Sequence, residues 1–569
     1  MTNPAIEDIV HIVAQAIHVD PAVVRSAVTA PPDPSMGDYA LPCFVLSKEL
    51  NRPPAEVAQE LVTRIQGARF LETAECAGPY LNIWARRPAV TEEVLGQILS
   101  EKRDYGSSTE GADKAIVIDL SSPNIAKPMS IGHLRSTVIG NSLGNILHKL
   151  GYQVVGINHL GDWGTQFGKQ IVAYLKWGEG KEELTVRDLL DSYVRFHDEA
   201  EVHPELDDEA RLWFKRLEDG DPEARRIWKR FVSISMDEFR KIYDRLGIEF
   251  DHYTGESFYN QMLDDTIEQL DKAGLTRVSQ GALIVDLEPY DMPPVLLRKA
   301  DGASLYETRE IAAVLYRYRT FHFHKMLYVV GSDQKLHFRQ LFKVLELMGY
   351  PWAKGCLHID FGMVRLTGQK MSTREGRVVF LDEVLDKAVE LTKQIIEEKN
   401  PDLEDRDEVA EQVGIGAIIF ADLSTKRTKD VDFRWEEVLN FDGRTGPYVQ
   451  YTHVRLCGIL RKFGCEEEHP PDLPPYDPCK LATEDGWILV KMLADYPATV
   501  NRAAEAYEPS VVANYLLDLS EQFNRYYHHH RVVTGDTELT NARVALVTAL
   551  RYVIADGLDL LGLRPLMRM

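Results

Sequence analysis

The first hundred residues switch between two hydrophobic periods. IEDIVHIVAQAI (6–17) and PAEVAQELVTRI (54–65) space apolar residues by three and four, as helices with one buried face do. Turn-rich APPDPSMGDYALP and extended PYLNIW (79–84) accompany them, so the opening unit reads as α+β. The polar, Gly/Ser-rich stretch YGSSTEGADK (105–114) marks its end. AIVIDL (115–120) and YQVVGINHL (152–160) are short β-branched runs separated by a segment that reads as a helix of about four turns. Strand, helix, strand at this length predicts a βαβ unit and a parallel sheet. A charged helical insertion, packed outside the sheet, is expected from about Trp177 to Gly255. The β/α rhythm is expected to return with GALIVDL, KMLYVVG and HIDFGMV. Beyond about Leu385 the pattern predicts helices almost throughout, interrupted by a proline-rich surface loop, CEEEHPPDLPPYDPC (465–479), and ending in a bundle.

The chain has 569 residues, enough for two to four domains. No stretch approaches the roughly 18 uncharged apolar residues of a membrane span. MTNPAIEDIVHIVAQAI lacks a basic leader, so no signal or transit peptide is expected. The six cysteines show no CxxC spacing and read as reduced structural thiols of a cytosolic protein, without disulfides or zinc. A net charge of −23 argues against a sequence-indifferent nucleic-acid coat, though local basic faces can still dock a structured RNA.

The candidate chemistry begins after AIVIDL, in SSPNIAKPMSIGHLRS (121–136). Ligands of an open parallel sheet bind at strand carboxyl ends, and a helix N-terminus there offers N–H groups to phosphate. Gly132 removes a side chain, His133 can donate to a phosphate oxygen, and Lys127 adds a cation. This is neither a P-loop nor GxGxxG, and alone it also fits a simple helix cap. GQKMSTREG (368–376) is a second short, basic, glycine-bounded stretch. It could bring Lys370 and Arg374 over phosphates that develop charge in a transition state.

In this order the two stretches resemble the two signatures of class I aminoacyl-tRNA synthetases. The surrounding strings are similar to arginyl-tRNA synthetase: GPYLNIW, SSPNIAKP, NHLGDWGTQFG, LYETREIA, YVVGSDQKLHF, KMSTREG, GRTGPYVQYTHVR and LGLRPLMRM. The resemblance implies a Rossmann-like parallel-sheet catalytic domain (112–390), an N-terminal α+β domain that binds the tRNA elbow (1–108), and a C-terminal all-α linker and anticodon-binding bundle (391–569). It implies ATP-dependent formation of arginyl-adenylate, then transfer to the 2′-hydroxyl of the terminal adenosine of its tRNA, by a cytoplasmic monomer. Lys127, His133, Lys370 and Ser372 would be catalytic, and Ser130, Gly132, His133, Lys370 and Met371 would bind ATP, with Mg2+ bridging its phosphates. Asp119, Asn124, Tyr306, Glu310 and Gln334 would hold arginine, because a planar guanidinium is best read by carboxylates. Tyr80, Asn82, Tyr448, Tyr451 and Arg455 would contact tRNA. Asp162 reads as a turn residue rather than a metal ligand. STKRTKD (424–430) is a candidate RNA-backbone contact, and His528–His530 a solvated face.

Two positions depart from the family pattern. Ser130 stands where the first signature usually begins with histidine, which would shift phosphate binding toward Lys127 and Lys370. Glu310 stands where aspartate is usual, while Asp119 is the shorter acid where some members carry glutamate, so the two lengths would compensate. A synthetase-like RNA-binding protein without catalysis is the alternative reading; retention of the lysines, His133 and both acids weighs against it. A class I nucleotidyltransferase acting on a small molecule would need neither end domain.

Overall fold

Asn3 starts the first helix, Pro4–Ile17: its side chain accepts from the N–H groups of Ala5 and Ile6, and Pro4 opens the first turn. The helix buries Ile9, Val10 and Val13 together with Val57 and Leu61 of helix Pro54–Ile65. They cover a small antiparallel sheet, ordered β1–β3–β2, made of β1 (Tyr39–Pro42), β2 (Leu71–Ala77) and β3 (Tyr80–Ala85). The computed structural model describes every residue except 1–2, 66, 182, 301–305, 367–378, 442 and 466–472. Among the described residues no helix is long and apolar enough to cross a membrane.

The expected βαβ unit is present. β4 (Ala115–Asp119) and β5 (Gln153–Asn158) are parallel and joined by helix Ile131–Lys149. Further along come β6 (His252–Tyr253), β7 (Thr276–Ser279), β8 (Ala282–Val285), β9 (Val295–Arg298), β10 (Lys325–Tyr328), β11 (Cys356–His358), β12 (Val364–Leu366) and β13 (Val431–Phe433). Five strands form the parallel sheet, in the order β11–β10–β4–β5–β6. Alternation along β4 serves two cores: Ile116 and Ile118 join the cluster of Leu143 and Ile146, while Val117 joins that of Val314 and Val344. The chain leaves β4 toward β5 on one side and returns through β10 on the other. The crevice beyond the carboxyl ends of β4 and β10 is therefore the topological switch point, where doubly wound sheets bind ligands.

Two expectations need correcting. GALIVDL is not part of the parallel sheet; β8 is the middle strand of a separate antiparallel sheet, β7–β8–β9. The signal is local: Gln280 and Gly281, both at positive φ, make the tight turn that sends β8 back along β7. The helical insertion does not lie wholly outside the sheet, since its end supplies the edge strand β6, and it also reaches the loop after β4. Ser235 and Tyr243 of its helix Pro222–Leu246 hydrogen-bond the loop after β4. Beyond Leu385 the described chain is helical almost throughout, as expected, and the three-residue strand β13 pairs there in parallel with β12.

Candidate active site

The loop after β4 is strained. Ser121, Ser122 and Ala126 all adopt positive φ without being glycine, which costs free energy and persists only where surrounding contacts over-determine the backbone. Those contacts are specific. Ser121 N–H donates to Ser136 Oγ at 2.9 Å, and Ser136 Oγ donates to Val329 O at 2.6 Å. Ser121 Oγ lies 2.7 Å from Tyr243 Oη, and Ala126 N–H donates to Ser235 Oγ at 2.8 Å. On the far side Asn124 bridges to Gly161. A Cβ on Gly161 would stand 2.3 Å from Asn124 Oδ1, so the glycine of NHLGDWG is required by this close approach. The loop thus carries Asp119, Asn124 and Lys127 to the start of helix Ile131–Lys149 in one shape.

At that helix start, Ser130 is the N-cap residue in an extended conformation. Its backbone N–H donates to His133 Nδ1 at 3.0 Å, and its hydroxyl lies 3.0 Å from the same nitrogen. Because Nδ1 accepts a backbone proton, the imidazole proton sits on Nε2. Burial, reinforced by the charge of Lys127, lowers the His133 pKa, so the ring is neutral at neutral pH and keeps one donor. Ser130 therefore aims His133. Gly132 is exposed, with only Ser130 Oγ near a built Cβ, at 3.4 Å. Lys127 lies with its ammonium 5.0 Å from the Tyr193 ring centroid. Lys370, Met371, Ser372 and Arg374 fall outside the described residues.

The crevice gathers a buried charge cluster. His159, just past β5, has Nδ1 3.0 Å from Thr254 O and Nε2 3.1 Å from Glu310 Oε1. Both partners are acceptors, so both ring nitrogens carry protons and His159 is an imidazolium. Burial opposes that charge, but the Glu310 carboxylate outweighs it and raises the pKa. Glu310, 2% exposed, is likewise held ionised against burial, chiefly by His159. Asp119 is also buried, with Oδ2 2.8 Å from Arg317 Nη1 and Oδ1 accepting from Ser122 Oγ at 3.0 Å. Tyr306 lies at the rim, 40% exposed, its ring tilted 5.0 Å from His337 and its hydroxyl bonded to Glu310. Gln334 stands exposed beyond the end of β10. The two acids of the sequence reading thus lie in one cluster, but Asp119 is already committed to an internal guanidinium, so chain length alone does not relate it to Glu310.

Sequence reasoning missed Glu256. Asp162 accepts from Ser257 N–H at 2.8 Å and from Ser257 Oγ at 2.5 Å, and a Cβ on Gly255 would stand 2.6 Å from its carboxyl. This turn, consistent with the structural role expected of Asp162, projects Glu256 toward the cluster. The Glu256 backbone N–H donates to Leu160 O at 3.0 Å, while its carboxylate has no hydrogen-bond or ion-pair partner among the described residues. Burial, with Glu310 and Asp162 nearby, pushes its pKa up to about 7, although His159 and Arg309 pull the other way. His159 and Arg317 were missed too. His159 sits in a quoted string, and the strand-end rule for parallel sheets would have singled it out.

Two other faces carry the sequence-derived RNA residues. Tyr80 is 43% exposed and packs edge-on against exposed Phe44, with centroids 5.7 Å apart, whereas Asn82 is 9% exposed. On helix Gly446–Lys462, the Arg455 guanidinium lies 5.0 Å from the Tyr451 ring and 5.7 Å from Tyr527, while Tyr448 Oη accepts from Asn524. STKRTKD differs from its reading: Arg427 donates to Tyr507 O and Asp360, tying bundle to sheet, which leaves Lys426 and Lys429 exposed. His530 is also not merely solvated, since it pairs with Asp485 at 3.0 Å.

Three family models match the chain. They are described as the N-terminal domain of arginyl-tRNA synthetase (residues 4–85), the catalytic domain of class I tRNA synthetases (R) (94–435) and the DALR anticodon-binding domain (449–569). Arginine–tRNA ligase of Halothermothrix orenii is 46% identical over 562 residues, 98% of each chain. That of Ligilactobacillus salivarius is 50% identical over 543 residues, 95% of each. The solved arginyl-tRNA synthetase of Thermus thermophilus covers all of both chains with a TM-score of 0.84 at 28% identity.

Proposed function

This chain belongs to the arginyl-tRNA synthetase family and is an arginine–tRNA ligase, and on that premise we propose that the β4/β10 crevice is where L-arginine meets ATP. The observation that carries this reading is the convergence of Glu310, Glu256 and Tyr306 beside the loop that leads to His133. The arginine carboxylate oxygen attacks the α-phosphorus, the bond to pyrophosphate breaks, and arginyl-adenylate forms. The 2′-hydroxyl of the terminal adenosine then attacks the carbonyl carbon and AMP leaves. Neither step asks the protein for covalent chemistry; both ask for in-line positioning and stabilisation of phosphate charge. Glu310 and Glu256 read the guanidinium with the Tyr306 hydroxyl. Asn124 and Gln334 orient the amino and carboxylate end. His133 Nε2–H, the N-terminus of helix Ile131–Lys149 and Lys127 face the phosphates, with Lys370, Met371 and Ser372 supplied by the second signature. Among the described residues no group of three His, Cys, Asp or Glu side chains could hold a metal ion. Magnesium would accompany the ATP phosphates and help to neutralise their charge. The Phe44–Tyr80 pair and the Tyr451–Arg455–Tyr527 stack offer aromatic faces for splayed bases of the tRNA.

The test is arginine-dependent exchange of pyrophosphate into ATP, with and without cognate tRNA. Exchange that requires arginine and is supported by tRNA is the expected result; none even with tRNA would overturn the reading. A second result follows from Glu256. Near pH 6 its carboxyl is protonated, and near pH 8 it is ionised and attracts the substrate cation. Its raised pKa predicts that the arginine KM falls about tenfold between these pH values. Glu256→Gln should raise KM and flatten that profile. The linkage has a matching sign: the free protein loses stability as pH rises through this pKa, so arginine should raise Tm more at pH 8 than at pH 6. The groups facing Glu256 are His159, Arg309, Glu310, Asp162 and Tyr306. An arginine KM that is flat with pH in the wild type would show that Glu256 does not meet the guanidinium.

A further inference from the structure

Arg317 lies two turns beyond Glu310 on helix Tyr306–Phe321, and its side chain is fully buried. Its Nη1 is 2.8 Å from Asp119 Oδ2, and its guanidinium lies 5.7 Å from the Tyr328 ring centroid. The Asp119 backbone is fixed on both sides by β5 and β10, and its second oxygen is taken by Ser122. A buried ion pair of this kind is weak evidence for stability, since apolar residues of similar volume often serve as well. Its position gives it another use, because it ends the central strand at the mouth of the crevice.

We infer that Arg317 is a positioning residue for arginine binding: it holds the Asp119 carboxylate in one orientation beside the substrate pocket, so that the entering guanidinium is directed to Glu310 and Glu256. The substrate carries a cation at each end, the guanidinium and the α-ammonium. An acid left open at Asp119 would accept either, and the molecule could then lie in more than one register. With one Asp119 oxygen filled by an internal guanidinium and the other by a serine hydroxyl, a single register remains. Arg317 suits the task because its planar fork keeps its charge at every working pH. The groups facing the pair are Ser122, His159, Tyr259, Glu310, Tyr328 and Cys356.

This inference rests on the reading of the crevice as the arginine pocket, and the test separates the two. Arginine and ATP KM values are measured by tRNA-dependent exchange from pH 5.5 to 8.5 for Asp119→Asn, Arg317→Lys, Arg317→Met and the Arg317→Met/Asp119→Asn double variant. Arg317→Lys keeps the charge but loses the fork, and should raise the arginine KM about tenfold while leaving the ATP KM unchanged. Arg317→Met leaves the Asp119 carboxylate open to either cation of the substrate, so the arginine KM should rise at least as much, again with the ATP KM unchanged. The double variant removes that open acid and should recover part of the loss, whereas a merely structural role for the pair would give no recovery specific to the arginine KM. If Arg317→Met does not fold, the KM split of Arg317→Lys decides. Arginine and ATP KM values that move together, or an Arg317→Lys enzyme with the wild-type arginine KM, would overturn the inference alone. Should Glu310→Gln, measured alongside, also leave the arginine KM unchanged, the pocket reading falls with it.

Discussion

Glu310→Gln should lower kcat/KM for arginine by about a thousandfold, or ~4 kcal/mol, the cost of removing one partner from a buried charge pair at a recognition site. The substitution preserves shape, so packing around Ile311 and Val314 is unaffected and the loss is electrostatic. It acts twice. The substrate guanidinium loses a carboxylate built to accept its fork, and the His159 imidazolium, held 3.1 Å away, loses the charge that keeps it protonated. His159 should then release its Nε2 proton while Nδ1 keeps its bond to Thr254 O. Glu310→Asp retains charge but withdraws it by one methylene from His159, and about a tenfold loss is expected there. Steady-state exchange kinetics at varied arginine, with circular dichroism to confirm the fold, check both. A Gln variant within threefold of wild type would mean that Glu310 serves His159 alone and that the guanidinium is read elsewhere.

The elements that the sequence made legible are those with a strong period or a strong local signal. AIVIDL and YQVVGINHL are short β-branched runs on either side of a helix-length segment, and they became β4, β5 and helix Ile131–Lys149. GALIVDL is apolar enough for a buried parallel strand, but the Gln280–Gly281 turn decides its partner, and hydrophobicity does not encode partners. The site divides in the same way. Residues of contiguous strings, such as Asn124, Lys127 and His133, could be named because their neighbours in sequence are their neighbours in space. Glu256 could not. It reaches the pocket from the end of a helical insertion, through a turn set by Asp162, 94 positions earlier by its number. Arg317 reads in sequence as one more basic residue of YRYR. Only the fold shows that it turns inward to Asp119 while Arg319 on the same helix stays outside.

The same logic resolves the serine that stands where the family usually begins its first signature with histidine. His133→Ala should lower kcat about a hundredfold with little change in arginine KM, because a donor aimed at phosphate charge matters most in the transition state. The size of the effect depends on His133 being a donor at all, and the geometry requires it. Ser130 N–H fills Nδ1, leaving the proton on Nε2, and burial together with Lys127 keeps the ring neutral so that its tautomer does not change across the working pH range. Ser130 performs this with its backbone. Its hydroxyl duplicates the contact at 3.0 Å, so Ser130→Ala leaves the main bond in place. That variant should cost about threefold, the worth of one neutral hydrogen bond. A serine is therefore sufficient here as long as the backbone donor and the extended N-cap geometry survive. Rapid-quench measurement of adenylate formation on both variants separates the roles: His133→Ala should be slow in the chemical step, and Ser130→Ala nearly normal. The opposite ranking would make the serine hydroxyl itself a phosphate ligand and reduce His133 to a cap of its own helix.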